Sequence, residues 1–134
     1  MGRIRIRVDS GTDYSMNVEF TVSLSELKRA FRRLSARLPD ESEAGAEFVL
    51  FNVGESSLEI LVQETAEGVT AAFVHPGLAR VPISVFRGIA RALPFYRGTS
   101  VRFAFSPEAL RINQTRFRHP SISVARHTSV PQDR

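Results

Sequence analysis

The sequence predicts one mixed domain in which a strand, a helix and three further strands follow one another, and then the same order returns. Three observations lead there. The apolar spacing changes from two to three or four residues and back, twice along the chain. Proline and glycine punctuate those changes. The two helical segments also superpose at a constant offset of 59 residues. A length of 134 residues fits one domain, and 43% apolar with 24% charged residues is ordinary for a soluble globular chain. That balance excludes collagen-like, low-complexity and largely disordered classes.

Residues 3–8 alternate arginine with Ile4, Ile6 and Val8, as a half-buried strand does, and a turn-rich stretch follows. Val18, Phe20 and Val22 form a second alternating run. Leu24, Leu27, Phe31, Leu34 and Leu38 then recur at helical spacing. Ser23-Leu24-Ser25-Glu26 fits a capping box, and Val22 with Leu27 fits a hydrophobic staple. Pro39 and the acidic stretch through Gly45 end that helix. Strands are expected at 48–53, 58–62 and 69–74, separated by Gly54-Glu55-Ser56-Ser57 and by Ala66-Glu67-Gly68.

His75-Pro76-Gly77 turns into a short extended piece at 78–81. A second helix covers about 83–93, with Ile83, Phe86, Ile89, Ala90 and Leu93 on one face between Pro82 and Pro94. Gly88 in its middle costs about 1 kcal/mol relative to alanine, so this helix needs tertiary packing. Strands follow at 101–105, 110–113 and 117–124, and a polar tail is expected to fray. The repeat lays Val22-Ser23-Leu24-Ser25-Glu26-Leu27-Lys28 over Val81-Pro82-Ile83-Ser84-Val85-Phe86-Arg87. It also lays Arg32 over Arg91 and Leu34 over Leu93.

Charge is segregated. Residues 39–79 hold eight acidic and no basic residues, so the remainder carries 18 basic against six acidic side chains. On the first helix Lys28, Arg29, Arg32, Arg33 and Arg37 spread over the arc opposite the leucines, and Arg87 with Arg91 extend the pattern to the second. The pairs 28/32, 29/33, 33/37 and 87/91 are like-charged neighbours that together cost an isolated helix on the order of 1–2 kcal/mol. A phosphate backbone facing both helices would convert that repulsion into salt-dependent attraction. The bland alternative is a solvated basic face with no ligand. No aromatic or amide side chain is interleaved to read bases, so contacts would be independent of sequence.

Other chemistries find little support. The chain has no cysteine, and His75, His119 and His127 have no metal-ligand spacing, so neither metal nor cofactor is expected. No G-x-S-x-G elbow and no glycine-rich loop before a helix is present, and no enzyme activity is expected. Glu41 and Glu43 fit a solvated loop better than acid–base work, and Lys28 has the neighbours of an exposed side chain. Phe48, Phe51, Phe73, Phe86, Phe95, Phe103, Phe105 and Phe117 are assigned to the core, with Phe95-Tyr96 an alternative partner patch. No apolar run approaches a membrane span, and cytoplasmic residence is the expectation.

Phe20-Thr21-Val22-Ser23 entering an amphipathic helix resembles the start of a DNA sliding clamp domain. Residues 81–94, and the spacing onward through Val101-Arg102-Phe103, Leu110-Arg111-Ile112 and Arg116-Phe117-Arg118, are similar to its second half. The match is to domains of the bacterial DNA polymerase III β subunit. It divides the chain into an extra N-terminal strand and turn (1–16), a single clamp-like domain (17–125) and a polar C-terminal tail (126–134).

The resemblance implies an α+β fold, a duplicated β-α-β-β-β unit with two helices on one side of antiparallel sheets. It further implies edge-to-edge rings whose helices face duplex DNA, and polymerase or repair factors as partners. Family members carry two or three such domains per chain, so a ring of this chain would need about six copies. The competing expectation is a clamp-fold interaction module that does not encircle DNA.

Overall fold

Ser23 is where the first strand becomes the first helix. In the computed structural model, which describes residues 17–38 and 48–126, β1 (Val18–Ser23) runs directly into α1 (Leu24–Ser35). The Ser23 hydroxyl accepts the Glu26 amide hydrogen at 3.3 Å, satisfying one of the free donors of the first turn. Glu26 does not complete the expected capping box. Its carboxylate instead accepts the Thr70 amide hydrogen at 3.3 Å, tying the helix to a strand. The helix is shorter than its leucine spacing suggested. It ends at Ser35, and Arg37 donates its amide hydrogen to Leu34 in a closing turn, so Arg37 and Leu38 lie beyond it. The expected strand at 3–8 lies outside the described residues.

The remaining elements are β2 (Phe48–Val53), β3 (Ser57–Val62), β4 (Thr65–His75), β5 (Gly77–Pro82), α2 (Ile83–Ala92), β6 (Ser100–Ser106), β7 (Ala109–Ile112), β8 (Thr115–Arg118) and β9 (Ser123–Ala125). A short 3₁₀ turn, Leu93–Phe95, follows α2. Two expectations change. Ala66-Glu67-Gly68 is strand rather than turn, because Gln63 takes a left-handed conformation (φ 54°) and reverses the chain three residues earlier. The single strand expected at 117–124 is two. His119 breaks it, accepting the Ile122 amide hydrogen on its carbonyl and the Ser121 amide hydrogen on its ring.

All strand pairs are antiparallel, in the order β8-β7-β6-β1-β4-β3-β2-β5-β9. β1 pairs with β6 and β5 with β2, so the first strand of each half joins the second strand of the other. β4 serves two sheets. It pairs with β3 over residues 65–70 and with β1 from Ala71 onward, through an irregularity where Glu19 and Thr21 oppose His75 and Ala72.

Phe51 on β2 meets Phe105 and Phe103 on β6 at ring separations of 5.0 and 6.2 Å, so the two parts of the sheet bury a common core. α1 and α2 cover that core side by side. Phe31 stacks on Phe86 at 4.4 Å and also reaches Phe51 at 6.4 Å. Such aromatic pairs add about 0.5–1.5 kcal/mol each beyond the area they bury. No polar or charged side chain is buried among the described residues.

Two of the phenylalanines assigned to the core are not in it. Phe73 is 78% exposed and Phe95 81%. Phe73 sits in the β4 irregularity at φ 51°, a conformation in which the alternation of the strand is lost. Phe95 leaves the end of the 3₁₀ turn, while its neighbour Tyr96 packs on the core and donates its hydroxyl hydrogen to the Ile112 carbonyl at 3.3 Å. Phe48 is half-buried, its ring under the Arg80 guanidinium at 4.1 Å.

Two glycines test this packing in opposite directions. At Gly77 an added Cβ would stand 2.6 Å from Val18 and 2.8 Å from the Ala125 carbonyl oxygen, where β5 meets β9. At Gly88 it would rest 3.6 Å from the Phe117 ring, an ordinary contact. Gly77→Ala is expected to cost about 1–3 kcal/mol. Gly88→Ala is expected to gain about 0.5–1 kcal/mol. Urea unfolding of the two variants checks both signs.

Candidate nucleic-acid interface

The burial of one face of each helix decides where the other face points. α1 turns Leu24, Leu27, Ala30, Phe31 and Leu34 into the core, and α2 turns Ile83, Val85, Phe86 and Ile89. Their polar faces therefore emerge on the same surface, flanking the contact between Phe31 and Phe86. Arg29, Arg32 and Arg33 are exposed on α1, and Lys28 is half-buried beside α2. Arg91 is exposed on α2, and Arg87 is half-buried and engaged. A cleft of about 500 Å³ separates the helices, lined by Lys28, Arg32, Ser35, Ala90 and Pro94 over a floor of Phe31 and Leu93.

Not all seven sequence-predicted cations are equivalent. Arg33 turns to the strand side, where its Nη1 lies 3.1 Å from the Glu67 carboxylate. That pair is 63% exposed on the arginine side, which puts its contribution in the range of about 0–1 kcal/mol. Arg37 is exposed but sits in the turn after α1, off the helical row. Lys28, Arg29, Arg32 and Arg91 make no ion pair with any described residue. These four are the unpaired cations of the candidate surface, Lys28 and Arg32 lining the cleft, with Arg33 at the margin.

The sheet carries a second basic group that the helical reading missed. Arg102, Arg111, Arg116 and Arg118 project from β6, β7 and β8, and all four are exposed. Arg102 is held by the Glu19 carboxylate and donates to the Thr21 hydroxyl at 3.4 Å. Arginine at every second position in residues 116–118 was the available signal, and it reads equally well as a solvated strand face. Elsewhere, no group of three or more histidine, aspartate or glutamate side chains converges among the described residues. No helix among them is long and apolar enough to cross a membrane.

No protein-family model and no curated protein matches the sequence. Among solved structures, the beta sliding clamp of C. crescentus is similar, with a TM-score of 0.60 over 88% of this chain at 13% identity. The chain spans about a third (32%) of that clamp's length. At this identity the likeness shows the fold, which is clamp-like: sheet-rich, antiparallel and two-helical.

The charge on α1 is a cost in the free protein. In Arg29→Glu with Arg32→Glu, the repulsions 28/32 and 29/33 become attractions. Each such reversal is worth about 0.4–1 kcal/mol, and losing the Arg32 cation from the last turn of α1 gives back about 0.3–1 kcal/mol. The double variant is expected to be more stable than the parent by about 0.5–1 kcal/mol at low ionic strength, and the difference to shrink as salt is added. Thermal melts across a salt series check this.

Proposed function

We propose that this chain is a non-enzymatic, clamp-like DNA-binding protein of the cytoplasm. In this reading it contacts duplex DNA without sequence preference through α1 and α2 and assembles as a homo-oligomeric ring in replication or repair. What carries it is the row of Lys28, Arg29, Arg32 and Arg91, four cations without an ion-pair partner among the described residues, on adjacent helices of a clamp-like fold. Uncompensated cations on neighbouring helices lower the stability of the free protein and attract a polyanion. The reciprocal pairing of β1 with β6 and β5 with β2 supports one β-α-β-β-β unit present twice.

Two strand edges support assembly. Among the described residues, 65–70 of β4 pair only with β3, and β8 pairs only with β7. On the first edge Glu26 occupies the Thr70 amide, and the rest of that side has no strand partner among the described residues. Two unlike free edges on one molecule suit a head-to-tail contact between copies through backbone hydrogen bonds, and a heterologous contact that closes makes a ring.

A second reading is an adaptor that keeps the clamp fold without encircling DNA, docking a polymerase or repair factor. Phe73 and Phe95 favour it, since each exposes about four-fifths of a large apolar side chain.

Duplex DNA affinity of the Arg29→Glu, Arg32→Glu double variant separates the two. DNA contact through the helices requires a loss of at least tenfold, equal for unrelated sequences, with the slope of log K against log salt reduced by about 2. Unchanged affinity in this variant would leave the adaptor reading.

A further inference from the structure

The outer surface of β6, β7 and β8 holds a trough of about 510 Å³ that is built differently from the helix face. Its floor is small, made by Ala104 and Ala109, and one wall is Arg111, Arg116 and Arg118. Register fixes those three together. Arg111 stands directly opposite Arg116, and Arg118 stands opposite Ala109. Facing residues on an antiparallel pair have Cβ atoms about 5 Å apart. Alternate residues of one strand are about 7 Å apart. Three guanidinium groups therefore share one face of a two-stranded ribbon.

None of the three guanidinium groups makes a hydrogen bond or ion pair with any described residue. Among the described residues one acidic side chain lines the trough, that of Glu19, and it is already engaged by Arg102. Among the described residues the wall is thus a cationic cluster without an ion-pair partner, with like charges placed directly across from each other. Phe117, between Arg116 and Arg118, points the other way and lies against α2 at Gly88. The cluster consequently faces away from the helices, and a duplex lying on α1 and α2 does not reach it.

We propose that this trough is a second phosphate-binding site, which takes the backbone of a separate duplex DNA segment on the face opposite the helices. Arginine offers planar, forked donors that fit phosphate oxygens two at a time. An acidic protein segment would satisfy the same charges, but interface hot spots are aromatic and arginine anchors in fully desolvated pockets. These three arginines are exposed on an open face, with no aromatic ring beside them among the described residues. The large apolar residues of the trough, Phe105 and Leu110, are turned fully into the core and offer no anchor. Small floor residues and a wall of arginines suit electrostatic contact with a phosphodiester chain.

The test uses the full chain carrying Arg111→Ala, Arg116→Ala and Arg118→Ala, alone and combined with Arg29→Glu and Arg32→Glu. All three arginines are exposed, so the fold should be retained, with melting at or slightly above that of the parent as the repulsion between Arg111 and Arg116 is removed. The probes are a duplex of unrelated sequence and poly-glutamate, each titrated across a salt series. With the helix face reversed, residual duplex binding should persist, and the triple substitution should then weaken it at least tenfold. The salt slope should fall by about 2.7, which is about 0.9 for each phosphate left without its arginine.

Arg111→Ala alone lies on β7, away from the free edge of β8, and should lower the slope by about 0.9 with the mass of the assembly unchanged. Duplex affinity and slope unaltered by the triple substitution would overturn the site. Loss of poly-glutamate binding with duplex binding intact would overturn it too, in favour of an acidic protein segment. Failure of the helix-face variant alone to weaken DNA binding bears on the function proposed above and leaves this site standing.

Discussion

The change of partner inside β4 is the constraint on which the rest of the structure depends. Over residues 65–70 the strand belongs with β3, and from Ala71 it belongs with β1. That switch joins two groups of strands into one ladder and lets their apolar faces close on each other. The contact of Phe51 with Phe103 and Phe105 is the result. With ten phenylalanines, no tryptophan and no buried polar side chain among the described residues, the core is held by aromatic and aliphatic packing without internal ion pairs. The switch also creates the loose edge of β4, because β1 takes over before the strand's first half has found a second neighbour.

The helices follow from the same arrangement. Each half of the chain sends its first strand to the other half and its helix over the shared core, so α1 and α2 emerge side by side. Their cations then project from one surface with few acidic residues near them. Glu26, the one acid in the first turn of α1, is withdrawn to the β4 backbone, and Glu67 reaches only Arg33. On the opposite face the strand arginines form their own group, with Arg102 neutralised by Glu19. Both faces carry more positive charge than the described residues compensate, which is a property expected of a polyanion-binding molecule.

The elements legible in the sequence are those set by local pattern. The leucine spacing of α1, the proline brackets of α2, the Ser23 cap and the alternation of β2 and β6 each depend on neighbours within a few residues. What stays hidden depends on partners far away. Glu26 satisfies a capping pattern on paper, but Thr70 presents a free amide within reach and takes the carboxylate. The reversal at Gln63 and Glu64 carries no glycine, so local pattern starts β4 at Val69 rather than at Thr65. Phe73 reads as a core residue until the irregularity opposite Glu19 and Thr21 is known, for only that pairing turns it out. Within the candidate site, the helical cations are legible from periodicity. The pairing of Arg33 with Glu67, and the meeting of Arg111 and Arg116 across a hairpin, require the register.

Ring closure is the claim that separates a DNA-encircling protein from a folded relative in shape alone, and mass in solution addresses it most directly. Light scattering of the full chain should be run at low and physiological salt, beside a Gly68→Pro variant. Alternation from Thr70, whose amide points away from β3, puts the Gly68 amide on the free side of β4 as well. Proline there removes a donor needed only by a neighbouring strand. A closed ring predicts a single assembly of about six copies for the parent and monomers for the variant. Parent and variant both monomeric at every salt concentration would contradict it.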